Sequence, residues 1–389
     1  MKFFEGGISK LAISALTKDM PAYVQFYVTA RCNLTCEQCN VIYANADQEE
    51  CTTEQAARIA ENLAAIGTSV VLLTGGEPFV RKDIITIAKT MMNNGIHPRL
   101  QTNGLARVEQ LKQLADLGAH DISISLDSVV PSLQDTINGG FDRSWNRAIR
   151  TIANVNAVFP EQSFCALGCV LAPRNLRQIT SVIKFATEIG WWVSLVPAHQ
   201  TPVEEPRSFS TYDAQLLFSP DQYQEIAEVL EQVKELRNSG FNVYDSDEYI
   251  DDIYRFITGE PLYWRRRNGG VCDSPNLYFA IQPNGDMAVC CDYRLPERYP
   301  VYDEKFPEWY ASTILRSQAR KITSRCSGCM YGSFPEISVS ARYFVPMFRR
   351  AKLFLTNSVQ RRLNPITAEE MTELAQRIAK ENGLLAPVA

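Results

Sequence analysis

Residues 23–39 read YVQFYVTARCNLTCEQC. The first seven, Tyr23–Thr29, are apolar, aromatic and β-branched, the composition of a buried strand. Cys32, Cys36 and Cys39 follow at once, in the spacing C-x3-C-x2-C. An apolar strand that runs straight into a loop of metal-ligand residues is typical of α/β folds whose chemistry sits at the strand ends.

Working outward, the same strand grammar recurs. Apolar runs at Ser69–Thr74, Pro98–Thr102, Asp121–Leu126, Phe164–Leu171 and Trp192–Val196 alternate with amphipathic stretches near 53–66, 82–94, 106–117, 143–157 and 175–189. Short strands rich in Val, Ile and Leu, separated by helices, predict a parallel sheet with helices on its outer side. Six such units predict an α/β fold, a partial (β/α)6 TIM-like barrel, open rather than closed, over residues 21–200. An N-terminal helical extension is expected at 1–20. A proline-containing linker and helices near 220–238 and 246–258 are expected over 201–268. A small cysteine-rich region of short strands and turns is expected at 269–336, and C-terminal helices at 337–389, near 339–358 and 366–383.

Composition narrows the class. The 389-residue chain is 46% hydrophobic and 21% charged, ordinary globular values that exclude a disordered or fibrous protein. Its net charge of −5 gives no reason to expect nucleic acid. No run of eighteen apolar residues predicts a membrane span, and the start, MKFFEGGISKLAISAL, lacks the pattern of a signal peptide. The expectation is therefore a cytoplasmic protein. Eleven cysteines in such a chain point to metal ligation rather than disulfides.

Three thiolates on one tight loop suit three corners of a cubic [4Fe–4S] cluster and leave one iron open to a small molecule. Buried free cysteines and a zinc site are the alternatives. After the second strand stands Thr74-Gly75-Gly76-Glu77-Pro78, with glycines that let a backbone approach a ligand and a carboxylate able to pair with an ammonium group.

The cysteine loop together with this motif resembles the radical S-adenosylmethionine (radical SAM) superfamily. The resemblance implies that Cys32, Cys36 and Cys39 hold a [4Fe–4S] cluster whose open iron is chelated by SAM. Gly75, Gly76, Glu77 and Pro78 would bind the methionine moiety. It further implies SAM contacts from Asn103, Ser125 and Asp127 at the third and fourth strand ends, and from Asn175 after the fifth. Ordinary turn chemistry and helix capping are the plain readings of these four. One position departs from the family: the residue before the third cysteine, usually an aromatic that packs on adenine, is Gln38.

A second set lies downstream: Cys272, Cys290, Cys291 and Cys326-x2-Cys329. Pro283-Asn284-Gly285-Asp286 reads as a hairpin turn that brings Cys272 and Cys290 together. Four thiolates complete either a zinc site or a second [4Fe–4S] cluster, and spacing alone leaves both open. The C-x12-G-x4-C frame is similar to the SPASM and Twitch extensions of radical SAM enzymes. That similarity implies an auxiliary [4Fe–4S] cluster on Cys272, Cys290, Cys326 and Cys329. Gly285 then selects Cys290 over Cys291, which is left as a candidate hydrogen donor or an inert buried thiol. Cys51, Cys165 and Cys169 are expected to be inert. His97, His120 and His199 are expected to pack or make polar contacts.

Two basic features remain. Arg265-Arg266-Arg267 offers an anion site or a solvated loop. Residues 337–368 contain no acid, and carry Arg342, Arg349, Arg350, Lys352, Arg361 and Arg362 among aromatic and aliphatic residues. That pattern suits either peripheral contact with an anionic membrane or a docked helix with a solvated basic face. The segment Cys326–Gly332, with Pro335, resembles a subfamily that adenosylates hopanoid lipids, which also tolerates a non-aromatic residue before the third cysteine.

The expected activity is reductive cleavage of SAM and hydrogen abstraction from a C–H bond of a small-molecule or lipid-type intermediate. A ribosomal-peptide maturase and an iron–sulfur carrier or scaffold are the alternatives. A flavodoxin- or ferredoxin-type reductant is the expected protein partner.

Overall fold

The computed structural model describes residues 19–39, 48–199, 216–356 and 366–385, together with Ser14 and Thr17. Most of the expected 1–20 extension, the linker at 200–215, and Arg361 and Arg362 lie outside the described residues.

Six strands alternate with helices. They are β1 (Tyr23–Thr29), β2 (Val70–Gly75), β3 (His97–Thr102), β4 (Ile122–Ser125), β5 (Cys165–Leu171) and β6 (Trp192–Pro197). The helices are α1 (Thr53–Ala65), α2 (Ile84–Asn93), α3 (Val108–Leu117), α4 (Pro131–Ile137), α5 (Ser144–Val158) and α6 (Ile179–Glu188). The capping box of Thr52 and Gln55 sets the start of α1. All six strands pair in parallel in chain order, the expected partial barrel.

Strand β1 shows why the sheet reads as continuous apolar sequence. Val24, Phe26 and Val28 bury into the core that the outer helices share. Tyr23 and Tyr27 bury on the opposite, inner face, against Leu277, Tyr278 and Phe334. A strand covered on both faces has no reason to alternate polar and apolar residues.

The sheet does not end at β1. After α7 (Tyr223–Asn238) and α8 (Asp247–Thr258), the cysteine-rich region contributes β7 (Tyr278–Ile281) and β8 (Met287–Ala288). Strand β7 pairs in parallel with β1, Tyr23 opposite Tyr278, and β8 closes an antiparallel hairpin. The turn is the expected one, with Gly285 at φ 86° and the Gln282 amide donating to the Asp286 carbonyl at 2.8 Å. The barrel and the region that follows it therefore share one eight-stranded sheet.

Three details differ from the sequence expectation. Helix α4 was not anticipated, because its seven residues are too few to show a period. Two helices, α9 (Phe306–Ala311) and α10 (Thr313–Thr323), stand where strands and turns were expected. The helical stretch expected from 339 begins at Ser333 and breaks at Tyr343 into α11 (Ser333–Arg342) and α12 (Phe344–Thr356). Pro346 explains the break: proline is tolerated in the first turn of a helix but not in its interior.

Helix α11 closes the open side of the barrel. Beyond β6, Val243 adds a parallel bridge to Val193, and the Ser246 amide donates to Glu336 of α11 at 2.6 Å. At the other edge, Ser338 bonds the Tyr278 hydroxyl at 2.9 Å, and Phe334 packs on Tyr23 and Tyr278. The last helix, α13 (Ala368–Glu381), packs on α5 and α6.

Candidate functional site

Cys32, Cys36 and Cys39 lie half-buried on the loop that leaves β1. The Cys39 amide donates to the Cys36 carbonyl at 3.1 Å, turning the loop on itself. Burial pushes the Cys36 thiol well above the usual range, and the neighbouring Cys39, then Asp127 and Cys32, push the same way. Helix α4, the element that sequence patterning missed, supports this loop. The Ile137 carbonyl accepts from the Glu37 amide at 3.2 Å, and Asn138 accepts from the Cys36 thiol at 3.5 Å. Gly139 lies so close to Thr35 that a Cβ would sit 2.4 Å from the Thr35 carbonyl oxygen.

The Gly75-Gly76 pair also has a structural duty. A Cβ on Gly76 would come within 2.2 Å of the Arg31 carbonyl oxygen, and one on Gly75 within 2.4 Å of that of Thr29. These glycines admit the backbone of the cysteine loop itself. The Gly76 and Glu77 amides donate to Thr29 and Arg31 at 3.0 and 2.8 Å, so the exits of β1 and β2 are zipped together.

Glu77 is fully buried, and protein groups occupy both its oxygens. Oε1 accepts from the Phe79 amide at 3.0 Å and the Thr102 hydroxyl at 2.9 Å, and Oε2 from the Asn103 amide at 2.7 Å. Burial raises its carboxyl to about 7 despite these donors. Glu77 thus ties the exits of β2 and β3 together, and Pro78 starts the short turn that follows. The partner Thr102 was not singled out from sequence. Nor was Arg81, which is buried and bonds the Val28 carbonyl at 2.7 Å, the Cys51 carbonyl at 3.0 Å and Asp83 at 2.7 Å. A lone arginine two residues before an aspartate, just after an apolar Pro-Phe-Val, was the available signal.

Asn103 reaches the cysteine loop: its Nδ2 donates to Asn33 at 2.9 Å and approaches the Cys32 sulfur at 3.7 Å. Asn103 Oδ1 and Asn33 Nδ2 are buried without partners. A buried acceptor and a buried donor left unused beside three thiols are costly unless a polar ligand meets them. This is the observation that fits SAM and an iron–sulfur cluster to the residues present.

Asp127 is buried. It accepts from the Val170 amide at 2.7 Å and from Gln38 at 2.9 Å, and burial lifts its carboxyl to about 6. Ser125 ends β4, half-buried. Asn175 spends its amide on backbone. It accepts from Ala172 at 2.9 Å and donates to Asp127 and Val170 carbonyls at 3.1 and 2.7 Å, the capping role of its two readings.

The second set converges as well. Cys272, Cys290, Cys326 and Cys329 line one cavity, walled by Trp264 and Phe334. Trp264 and Arg265 hold the Cys329 and Cys326 carbonyls at 3.2 and 2.8 Å. Among the described residues, no three cysteine, histidine or carboxylate side chains are gathered closely enough to hold a single metal ion. A cubic cluster spreads its thiolates over separate iron corners, whereas one zinc draws sulfurs to about 2.3 Å. Cys291 turns elsewhere: its sulfur contacts Gln25 Oε1 at 3.4 Å, on the inner face of the sheet.

His199 connects the two regions. Burial lowers it to about 3, so the ring is neutral. Nδ1 bonds the Pro197 carbonyl at 2.6 Å, and Nε2 accepts from the Met330 amide at 2.8 Å, next to Cys329. His97 bonds Asp121 and His120 bonds Ser163, the polar contacts expected. Cys51, Cys165 and Cys169 are buried.

The basic features need correction. Arg265 is buried under the second cysteine set, and Arg267 bonds the Arg342 carbonyl at 2.9 Å and stacks on Tyr343. Two of the three arginines are therefore structural, because their neighbours present carbonyls and rings. In the tail, Arg342 is buried and paired with Asp273 at 2.6 Å. Arg350 lies 3.8 Å over the Tyr244 ring, and Arg349 faces Glu248 at 3.5 Å. Arg342 and Arg350 turn inward and Arg349 pairs, while Phe344, Val345 and Phe348 are 74%, 55% and 64% exposed. No helix among the described residues is long and apolar enough to cross a membrane.

Part of the chain is similar to known proteins. Residues 26–186 match the family profile of the Radical SAM superfamily. The AdoMet-dependent heme synthase of Methanosarcina barkeri is 29% identical over 177 residues, 44% of this chain and 49% of that protein. The PqqA peptide cyclase of Bradyrhizobium diazoefficiens is 29% identical over 192 residues, 47% of each chain. The chain spans about half the length of these curated relatives. Streptococcus suis SuiB bound to S-adenosylmethionine shares the fold at a TM-score of 0.59 and 18% identity, over 80% of this chain and 70% of SuiB. Residues 26–186 thus carry a radical SAM domain, the kind of domain that uses a [4Fe–4S] cluster and SAM.

Proposed function

We propose that this chain cleaves SAM reductively and abstracts hydrogen from a C–H bond of a small-molecule or lipid-type biosynthetic intermediate. The carrying observation is the meeting, at one end of the parallel sheet, of the Cys32-Cys36-Cys39 loop, the Gly75–Pro78 turn and the unpartnered amide atoms of Asn33 and Asn103. In this reading the three cysteines hold the reducing cluster, and Asn33, Asn103 and Ser125 bind SAM. Gly75, Gly76, Glu77, Pro78, Asp127 and Asn175 complete the SAM site and also position its loops. SAM bound at the reduced cluster supplies a 5′-deoxyadenosyl radical. The protein's part is to orient substrate and exclude water.

Cys272, Cys290, Cys326 and Cys329 hold an auxiliary [4Fe–4S] cluster in the same reading. With protein at every corner, that cluster is suited to passing an electron rather than binding substrate. A flavodoxin- or ferredoxin-type carrier supplies the electrons. The exposed Phe344, Val345 and Phe348 favour a lipid-type substrate reached from a membrane surface by an otherwise cytoplasmic protein. A peptide substrate is the second reading, favoured by the similarity to PqqA peptide cyclase.

The test is 5′-deoxyadenosine release by anaerobically reconstituted protein given reductant, SAM and separate lipid, aqueous small-molecule and peptide fractions, with Cys32→Ala as the blank. Stimulation by the lipid or aqueous fraction supports the first reading, and by the peptide fraction the second. No release in any fraction, with clusters intact, returns the protein to a carrier or scaffold role.

A further inference from the structure

We infer that the outer face of α10 and the segment after it dock a small acidic one-electron carrier protein, which exchanges its electron directly with the second cysteine set. The inference rests on the auxiliary cluster proposed above.

The chain is acidic overall, yet it contains no Asp or Glu from 309 to 335. Arg316, Arg320, Lys321 and Arg325 fall in that stretch. Helix α10 buries Leu315, Ala319 and Thr323. That leaves Arg320 and Lys321 exposed, and Arg325, also exposed, immediately precedes Cys326. Arg320, Lys321 and Arg325 make no ion pair among the described residues. Arg316 is shared with Asp19 at 3.3 Å.

The cationic face touches the cysteine set. One open pocket is lined by Cys272, Asp273, Ser274, Arg316 and Arg320. A cysteine of the proposed cluster and two arginines of the basic helix thus line the same pocket. The acidic residue there, Asp273, is turned inward and paired with Arg342 at 2.6 Å, so it does not neutralise the surface. Cys272 and Cys326 keep partial exposure.

Electron transfer falls off steeply with distance, so a carrier must seat where the cluster comes nearest the surface. A positive patch at that place steers an acidic partner and orients it. The exchange breaks and forms no bond. A flavin hydroquinone becomes the semiquinone as the cluster gains one electron, and the reverse step returns an electron to an oxidised carrier.

The test uses a flavodoxin and the reconstituted full chain. The wild-type protein binds it, and the affinity falls as salt rises from 50 to 300 mM. Arg320→Glu with Lys321→Glu and Arg325→Glu weakens binding at least tenfold and flattens that salt dependence. It also slows cluster bleaching by reduced flavodoxin about tenfold, with bleaching by dithionite unchanged. The milder pair Arg320→Ser and Arg325→Ser shows the same direction if the triple variant folds poorly. Wild-type binding and bleaching rates in a folded variant overturn the docking face. An iron content of about four rather than about eight per wild-type chain, read before any carrier is added, sinks the auxiliary-cluster reading instead.

Discussion

The side-chain amide of Gln38 donates to the buried carboxylate of Asp127 at 2.9 Å. This bond joins the cysteine loop after β1 to the exit of β4, across 89 residues of sequence. It also accounts for the one departure from the family pattern. A polar residue before the third cysteine has a buried anion to meet, where an aromatic would leave that oxygen only the longer bond from Gln134, at 3.4 Å.

Gln38→Ala is therefore expected to destabilise the protein by about 1.5–3 kcal/mol, the range for losing a hydrogen bond to a charged group. Urea unfolding of the paired proteins checks this. A variant that unfolds with the wild type means that the bond contributes little.

Gly76→Ala drives a Cβ into the Arg31 carbonyl, and backbone on both sides leaves no flexible atom to yield. The expected outcome is loss of the first cluster, with iron content falling by about four per chain. Full iron and unchanged SAM binding in this variant would contradict the close approach of the β1 and β2 exits.

Cys290 and Cys291 are adjacent but face different surroundings, the four-cysteine cavity and Gln25 respectively. Cys290→Ala is expected to remove about four irons per chain, and Cys291→Ala none. Iron and sulfide analysis after anaerobic reconstitution decides it, and the opposite pattern exchanges the two roles.

Asp245 is buried at the β6 edge. It accepts from Ser194 at 2.8 Å and from the Leu195 amide at 2.6 Å. Burial first, then the charge of Glu336, raise it from 3.8 to about 7. Between pH 4 and 7 the folded protein keeps a proton that the unfolded chain has released, so stability falls as pH rises through that window. Asp245→Asn removes this dependence. The variant is expected to gain roughly 3 kcal/mol on the wild type between pH 4.5 and pH 8, measured by urea unfolding at each pH. Parallel stability curves would show that Asp245 stays ionised.

The sequence by itself determined what is local and periodic. Strand β1 falls on the residues read for it, and the other five barrel strands within one residue at either end. The C-x3-C-x2-C loop and the turn at Gly285 stand where spacing put them. Such features are legible because apolar periodicity, glycine at positive φ and cysteine spacing are properties of a few consecutive residues. Tertiary structure decided what depends on distant partners. Glu77 reads as an isolated motif carboxylate until Thr102 and the Asn103 amide are found bonded to it. Arg265 and Arg342 read as surface cations until carbonyls and Asp273 surround them. The cysteine-rich region reads as a separate unit until β7 pairs with β1, 255 residues apart from Tyr23 to Tyr278. Hydrogen bonds and burial are satisfied by whichever groups the fold brings within about 3 Å, and no stretch of local sequence names those groups.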